Sequence, residues 1–140
     1  MAEPNDTLSL ILFSGTDDKL TASAVLAAGA AAMGRKVNVL LQYWALEAFQ
    51  AGHPRKDHGV TKDAEPEGAT LLGMMAERDG VQHWSETLAQ AKDIGEVRVH
   101  ACALSMDLFG FTMHDLDPLV DDVEGVASFM LEATGAIVFI

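Results

Sequence analysis

Hydrophobic positions in this chain alternate between short solid runs and longer stretches where they are spaced. Residues 8–13, Leu8-Ser9-Leu10-Ile11-Leu12-Phe13, form a nearly continuous apolar run bounded by turn residues. That is the pattern of a strand covered on both faces, as in a parallel sheet. Residues 36–42 and 97–102 repeat it, residues 136–140 close the chain in the same way, and a very short strand is expected near 120–123. Between these runs lie helical segments. Residues 17–33 are dense in alanine, the best helix former, and Gly34 stands in the C′ position with Arg35 and Lys36 near the negative end. Ser14 or Thr16 is expected to cap this helix, with Asp17 and Asp18 in its positive first turn. Further helices are expected over 43–49, 67–75, 81–91 and 124–134, the last with Val126, Phe129 and Met130 on its apolar face.

From 50 to 68 the pattern lapses into polar and turn residues, an excursion long enough to predict a mobile lid or a disordered loop. The opening strand–helix–strand implies a parallel, right-handed crossover. At most five strands alternate with helices. The class is α/β: a three-layer α/β/α sandwich with a mostly parallel five-stranded sheet, in one domain over residues 1–140.

Composition narrows the function. With 49% hydrophobic and 21% charged residues, the chain has the balance of a soluble globular protein with a real core. A net charge of −12 argues against binding nucleic acid or an anionic membrane. No apolar run approaches the roughly 18–20 residues of a membrane span. Residues 1–6 are acidic and lack an export core, so a cytoplasmic location is expected. Cys102 is the single cysteine. It excludes an internal disulfide, a Cys-x-x-Cys motif and an all-cysteine zinc site in one chain, so any chemistry at Cys102 must resolve on another molecule.

Candidate chemistry therefore gathers at Cys102, where a strand ends and a helix begins. Helix-start amides favour a thiolate, whereas unpaired cysteines also commonly just pack. Strand alternation puts Arg98, His100 and Cys102 on one face. The two basic groups either support the thiol or face an oligomer interface or an open edge. Other chemistries fit less well. The Ser14-Gly15-Thr16-Asp17-Asp18-Lys19 loop lies where open α/β sheets place ligands. It lacks both phosphate-loop motifs, and its two aspartates would repel phosphate. His53, His58, His83, His100 and His114 show no i, i+4 pair, and neither a metal nor a cofactor is expected. The serine elbow G-x-S-x-G is absent. The segment carrying Leu104, Met106, Leu108, Phe109, Phe111 and Met113 is either a core stripe or a partner-docking surface.

Three blocks resemble the DsrE/DsrF family of sulfur-relay proteins, in its DsrE2-like branch often labelled peroxiredoxin-like. Residues 14–20 with the alanine-rich helix through Gly34 resemble the first strand–loop–helix unit of that family. Gln42-Tyr43-Trp44-Ala45-Leu46 resembles its aromatic F-W-G-L turn, and residues 101–110 resemble its A-C-x-M-S-M-D-L-M-G cysteine loop. Residues 124–140 match its closing helix and strand. Ala45 stands where glycine is usual, Leu104 where methionine is common, and Phe109 replaces a second methionine. Residues 50–75 are the least family-like.

The resemblance implies a five-stranded α/β/α fold and homo-oligomers, trimers or hexamers. It also implies that Cys102 carries sulfane sulfur as a persulfide between donor and acceptor proteins or small thiols. On this reading Cys102 is the catalytic residue. Ser14, Gly15, Thr16, Tyr43 and Trp44 line the neighbouring crevice, with Ser105 and Asp107 as polar support. Peroxide reduction has little basis, because no second cysteine is present to resolve a sulfenic acid. Two alternatives stand beside the carrier: a non-catalytic oligomeric binding or assembly subunit with Cys102 packed, and small-ligand binding at the first strand–helix loop.

Overall fold

The computed structural model describes residues 7–140; residues 1–6, where no export signal is expected, lie outside the described residues. In chain order the elements are β1 (Thr7–Leu12), α1 (Asp17–Ala32), β2 (Lys36–Leu41), α2 (Tyr43–Ala48), α3 (Glu67–Glu77), α4 (Trp84–Ile94), β3 (Val97–Cys102), α5 (Ala103–Phe109), β4 (Asp122–Glu124), α6 (Val126–Glu132) and β5 (Ile137–Phe139). Short 3-10 turns occupy Lys62–Ala64 and Met113–Asp115. The five strands form one sheet in the order β4-β3-β2-β1-β5, and every pairing is parallel. The expected fold class therefore holds, and the sheet is wholly rather than mostly parallel.

Strand alternation sorts the core. Leu8, Leu10, Leu12, Val37, Val39, Leu41, Val97, Val99 and Ala101 join Leu20, Ala24, Ala27 and Ala31 of α1 and Leu88 and Ala91 of α4 in one buried cluster. Each fully buried leucine or valine there contributes about 1.5–3 kcal/mol. The small residues of α1 let the chain after α4 come very close: a Cβ on Gly95 would lie 2.8 Å from that of Ala31. The other face holds a smaller apolar cluster of Leu40, Cys102 and Phe129, with Ile11 packed against it. Ser9, Asn38 and His100 are buried polar residues in the same alternation.

Gly34, at φ 80°, follows α1 as expected, and the amides of Gly34 and Arg35 bond back to Ala31 and Ala30. Thr16 is the N-cap, but neither it nor Ser14 caps α1 through its side chain. The hydroxyl of Thr16 instead lies 3.2 Å from that of Ser14 and 3.3 Å from that of Thr61. The first-turn aspartates hold the following loop. Asp17 Oδ2 accepts from the His58 amide at 2.9 Å, its Oδ1 accepts from the Trp84 indole at 3.0 Å, and its own amide donates to Gly59. Asp18 accepts from the Thr61 amide. Within the stretch 50–68, residues 58, 59 and 61 are thus bonded to the start of α1. Burial works to raise the carboxyl pKa of Asp18, but the bonds from Thr16 and Thr61 outweigh it and hold the group below its ordinary value.

Two other boundaries moved for local reasons. α4 begins at Trp84 because His83 is its cap, its ring Nδ1 accepting from the Ser85 amide at 3.2 Å. The short strand expected near 120–123 lies at Asp122–Glu124. Asp121 precedes it as a clamp, its amide donating to Val99 and its carboxylate accepting from the Val99 amide, both at 2.8 Å.

Candidate functional site

Cys102 is the last residue of β3 and the N-cap of α5, with an extended backbone at φ −66°, ψ 121°. Its side chain is 1% exposed. It sits in the cluster of Leu40 and Phe129, beneath α6. Arg98, His100 and Cys102 do share a face, but the two basic residues turn toward β4. The Arg98 guanidinium lies 3.2 Å from Asp122 Oδ2, and His100 Nδ1 lies 2.5 Å from Asp122 Oδ1 and 3.1 Å from Glu124 Oε2. Strand register makes this inevitable, since His100 stands beside Asp122 and Cys102 beside Glu124. Both basic residues are engaged by a carboxylate of β4, the strand that forms this edge of the sheet.

The expected crevice residues converge along the carboxyl rim. A Cβ on Gly15 would fall 2.3 Å from the Trp44 carbonyl oxygen, a backbone atom that cannot easily move, so only glycine allows this approach. The Ala45 amide donates to the Phe13 carbonyl at 3.1 Å and locks the two segments together. Tyr43 has φ 45°, a left-handed conformation that a bulky residue holds only at a cost of about 1–3 kcal/mol. Its amide donates to the hydroxyl of the fully buried Ser105 at 3.0 Å, which ties α2 to α5. The rings of Phe13 and Tyr43 lie 5.3 Å apart, and Trp44 reaches Phe109 at 6.4 Å. Asp107 lies on the exposed side of α5, away from this contact.

Gly15 and Trp44 open onto a groove of about 340 Å³ shared with Glu47, Gln50, His53 and His58. Cys102 does not line it. The thiol and the groove flank the same rim, but the Cys102 side chain turns to the α6 side. His53 and His58 were expected in a mobile loop; the reach of Asp17 and Asp18 brings them to the groove, and the His58 ring bonds the His53 carbonyl at 2.8 Å. Nothing in their own spacing signals this. Of the apolar stripe after the cysteine, Met106 is core, whereas Leu104 and Leu108 are exposed, as is Trp44 at 56%. That stripe is therefore part core and part surface.

A five-stranded parallel sheet, flanked by helices, with one cysteine at a central strand-to-helix turn, defines an α/β protein built around that turn. Comparison places it more closely. The chain matches the DsrE/DsrF/DrsH-like family over residues 4–66 and 60–139, and it belongs to that family. It is 28% identical over 154 residues to the uncharacterized protein YrkE of Bacillus subtilis (strain 168), a match covering 95% of this chain and 94% of the relative. The fold is similar to that of MTH1491 from Methanobacterium thermoautotrophicum, a protein of unknown function, with a TM-score of 0.60 and 13% identity over 96% of this chain and 98% of that one. It is also similar to the ychN protein from E. coli, with a TM-score of 0.56 and 16% identity over the whole of both chains. No helix among the described residues is long and apolar enough to cross a membrane.

Proposed function

We propose that this protein is a cytoplasmic sulfur carrier in which Cys102 holds sulfane sulfur as a persulfide. The observation that carries the reading is the position of Cys102 at the N-cap of α5, with the third residue beyond it, Ser105, bonded to Tyr43. In the loading step the Cys102 thiolate attacks the outer sulfur of a donor persulfide, and the donor leaves as a thiolate. In the unloading step an acceptor thiolate attacks the outer sulfur on Cys102 and restores the starting thiolate. No net oxidation occurs, and one cysteine suffices.

Access requires movement, because the thiol is covered. Phe129 is the covering ring, on a seven-residue helix whose Val126, Met130 and Leu131 are 40%, 45% and 83% exposed. Displacing α6 uncovers Cys102 without disturbing the α1–α4 side. The exposed Leu131, Phe139 and Ile137 support association into a homo-oligomer, trimer or hexamer. Incubation with a sulfane-sulfur donor is expected to add about 32 Da per sulfur to the intact protein and nothing to Cys102→Ser. A gain that survives in Cys102→Ser sinks the assignment.

The burial of Cys102 also favours a second reading, an assembly subunit in which the thiol only packs. The two separate on one rate. Alkylation of the folded protein faster than global unfolding supports the carrier; alkylation limited by unfolding supports the packed cysteine.

A further inference from the structure

Among the described residues, one group of metal-ligating side chains converges: His100, Asp122 and Glu124. Their ligand atoms all lie within 4.8 Å of one another. The His100 and Glu124 side chains are 7% and 11% exposed, while Asp122 is 44% exposed and opens the group to solvent. All three come from strand backbone, β3 and its partner β4, which fixes their spacing by register rather than by loop conformation.

The decisive feature is what holds the other atom of each group. His100 Nε2 lies 3.4 Å from Asn38 Oδ1 on β2. An amide oxygen accepts, so a proton on Nε2 can be held there when Nδ1 serves as a ligand. Asp122 Oδ2 is engaged by Arg98, and Glu124 Oε1 accepts from the Ser128 hydroxyl on α6 at 3.1 Å. Nδ1, Oδ1 of Asp122 and Oε2 of Glu124 are therefore the three atoms left to meet. A proton on His100 Nδ1 can bridge to the two carboxylates, 2.5 and 3.1 Å away; a metal ion taking its place would be held by all three groups. Outer partners that orient each ligand are the usual mark of a built metal site.

We propose that His100, Asp122 and Glu124 bind a divalent transition-metal ion. One imidazole with two carboxylates suits zinc(II), which takes three protein ligands and leaves a fourth position open. That position faces a groove of about 500 Å³, bordered by Lys36, Glu96, Ser128 and Glu132. Ligand-to-metal distances near 2.0–2.1 Å require the closest pair, at 2.5 Å, to open by somewhat under 1 Å. The exposed edge strand carrying Asp122 allows that movement. The site is independent of sulfur chemistry at Cys102.

The test is calorimetric titration of the full chain with zinc chloride, with magnesium chloride as comparator, and cobalt(II) absorption as a report on coordination. One zinc ion per chain is expected, with magnesium far weaker. Glu124→Gln and Asp122→Asn, both more exposed than His100 and so less prone to unfold the chain, should each weaken zinc binding at least tenfold, and Ser128→Ala about tenfold. Cys102→Ser and a His53→Asn/His58→Asn double variant should bind as the parent does. No binding heat, equal binding of magnesium, full affinity in Glu124→Gln and Asp122→Asn, or loss in either control overturns the proposal.

Discussion

The two faces of the sheet are built on different terms. On one, nine strand residues meet α1 and α4 in a continuous apolar cluster. On the other, Leu40, Cys102 and Phe129 form a small apolar island beside Ser9, Asn38 and His100. The first face resembles the interior of any stable domain, where close packing makes each methylene count. The second mixes buried polar groups with a short helix that is exposed along one side. The larger core lies where α1 and α4 pack, and the thiol and its titratable neighbours lie on the other face, beneath the seven-residue α6.

The contrast can be broken most strongly from the packed side. Leu10→Ala on β1 should cost about 2–5 kcal/mol in chemical denaturation and leave the alkylation rate of Cys102 in the folded protein, set by local opening at α6, unchanged. Phe129→Ala should cost about 3–5 kcal/mol and, unlike Leu10→Ala, raise the alkylation rate of the folded protein at least tenfold. Equal effects of the two variants on alkylation would erase the distinction between the faces.

A smaller effect tests the seam between α4 and β3. Asp121 pairs with Lys92 of α4 and clamps Val99. Burial works to raise its carboxyl pKa, but the Lys92 and Val99 bonds prevail and hold it below the ordinary value. A carboxyl whose folded pKa is depressed stabilises fully above its unfolded value, about 3.9, and loses that contribution as pH falls through the folded value. Denaturation followed against pH should show this acid loss in the parent, and Asp121→Asn should show a flatter acid limb. The smallest effect has the opposite sign. Ser9 Oγ is buried and, among the described residues, has no hydrogen-bond partner. Ser9→Ala should therefore stabilise by up to about 1 kcal/mol, a shift measurable as a higher denaturation midpoint.

Much of the architecture was legible because solid apolar runs leave a parallel strand little choice. Val97 to Cys102 falls where its alternation places it, and Gly34 ends α1 where its backbone freedom is needed. The crevice was legible in part. Gly15 meets Trp44 and Tyr43 meets Ser105, but of the residues expected there, Ser14, Thr16, Tyr43, Ser105 and Asp107 do not line the groove. Burial of Cys102 was not readable, because it depends on where Phe129 lands, twenty-seven residues later in the chain. The partners of His100 were hidden for a related reason. Asp121-Asp122-Val123-Glu124 has the composition of a solvated loop, and only pairing with β3 turns it into a row of carboxylates. The anchors of residues 58, 59 and 61 within the stretch 50–68 were hidden, because Asp17 and Asp18 read as ordinary helix-start residues.

One of those anchors gives the protein an optical reporter of its own. Trp84 is 2% exposed and donates its indole N–H to Asp17, the same carboxylate that holds His58 at the rim, while Trp44 stands 56% exposed at the groove. A chain with only two tryptophans, one shielded and one open, separates their emission by quenching. An aqueous quencher silences Trp44 first, and the residual signal of Trp84 then follows the junction of α1, α4 and the loop. Any molecule that enters the groove can be watched at Trp44, and any loosening of Asp17 at Trp84, in a single unlabelled sample.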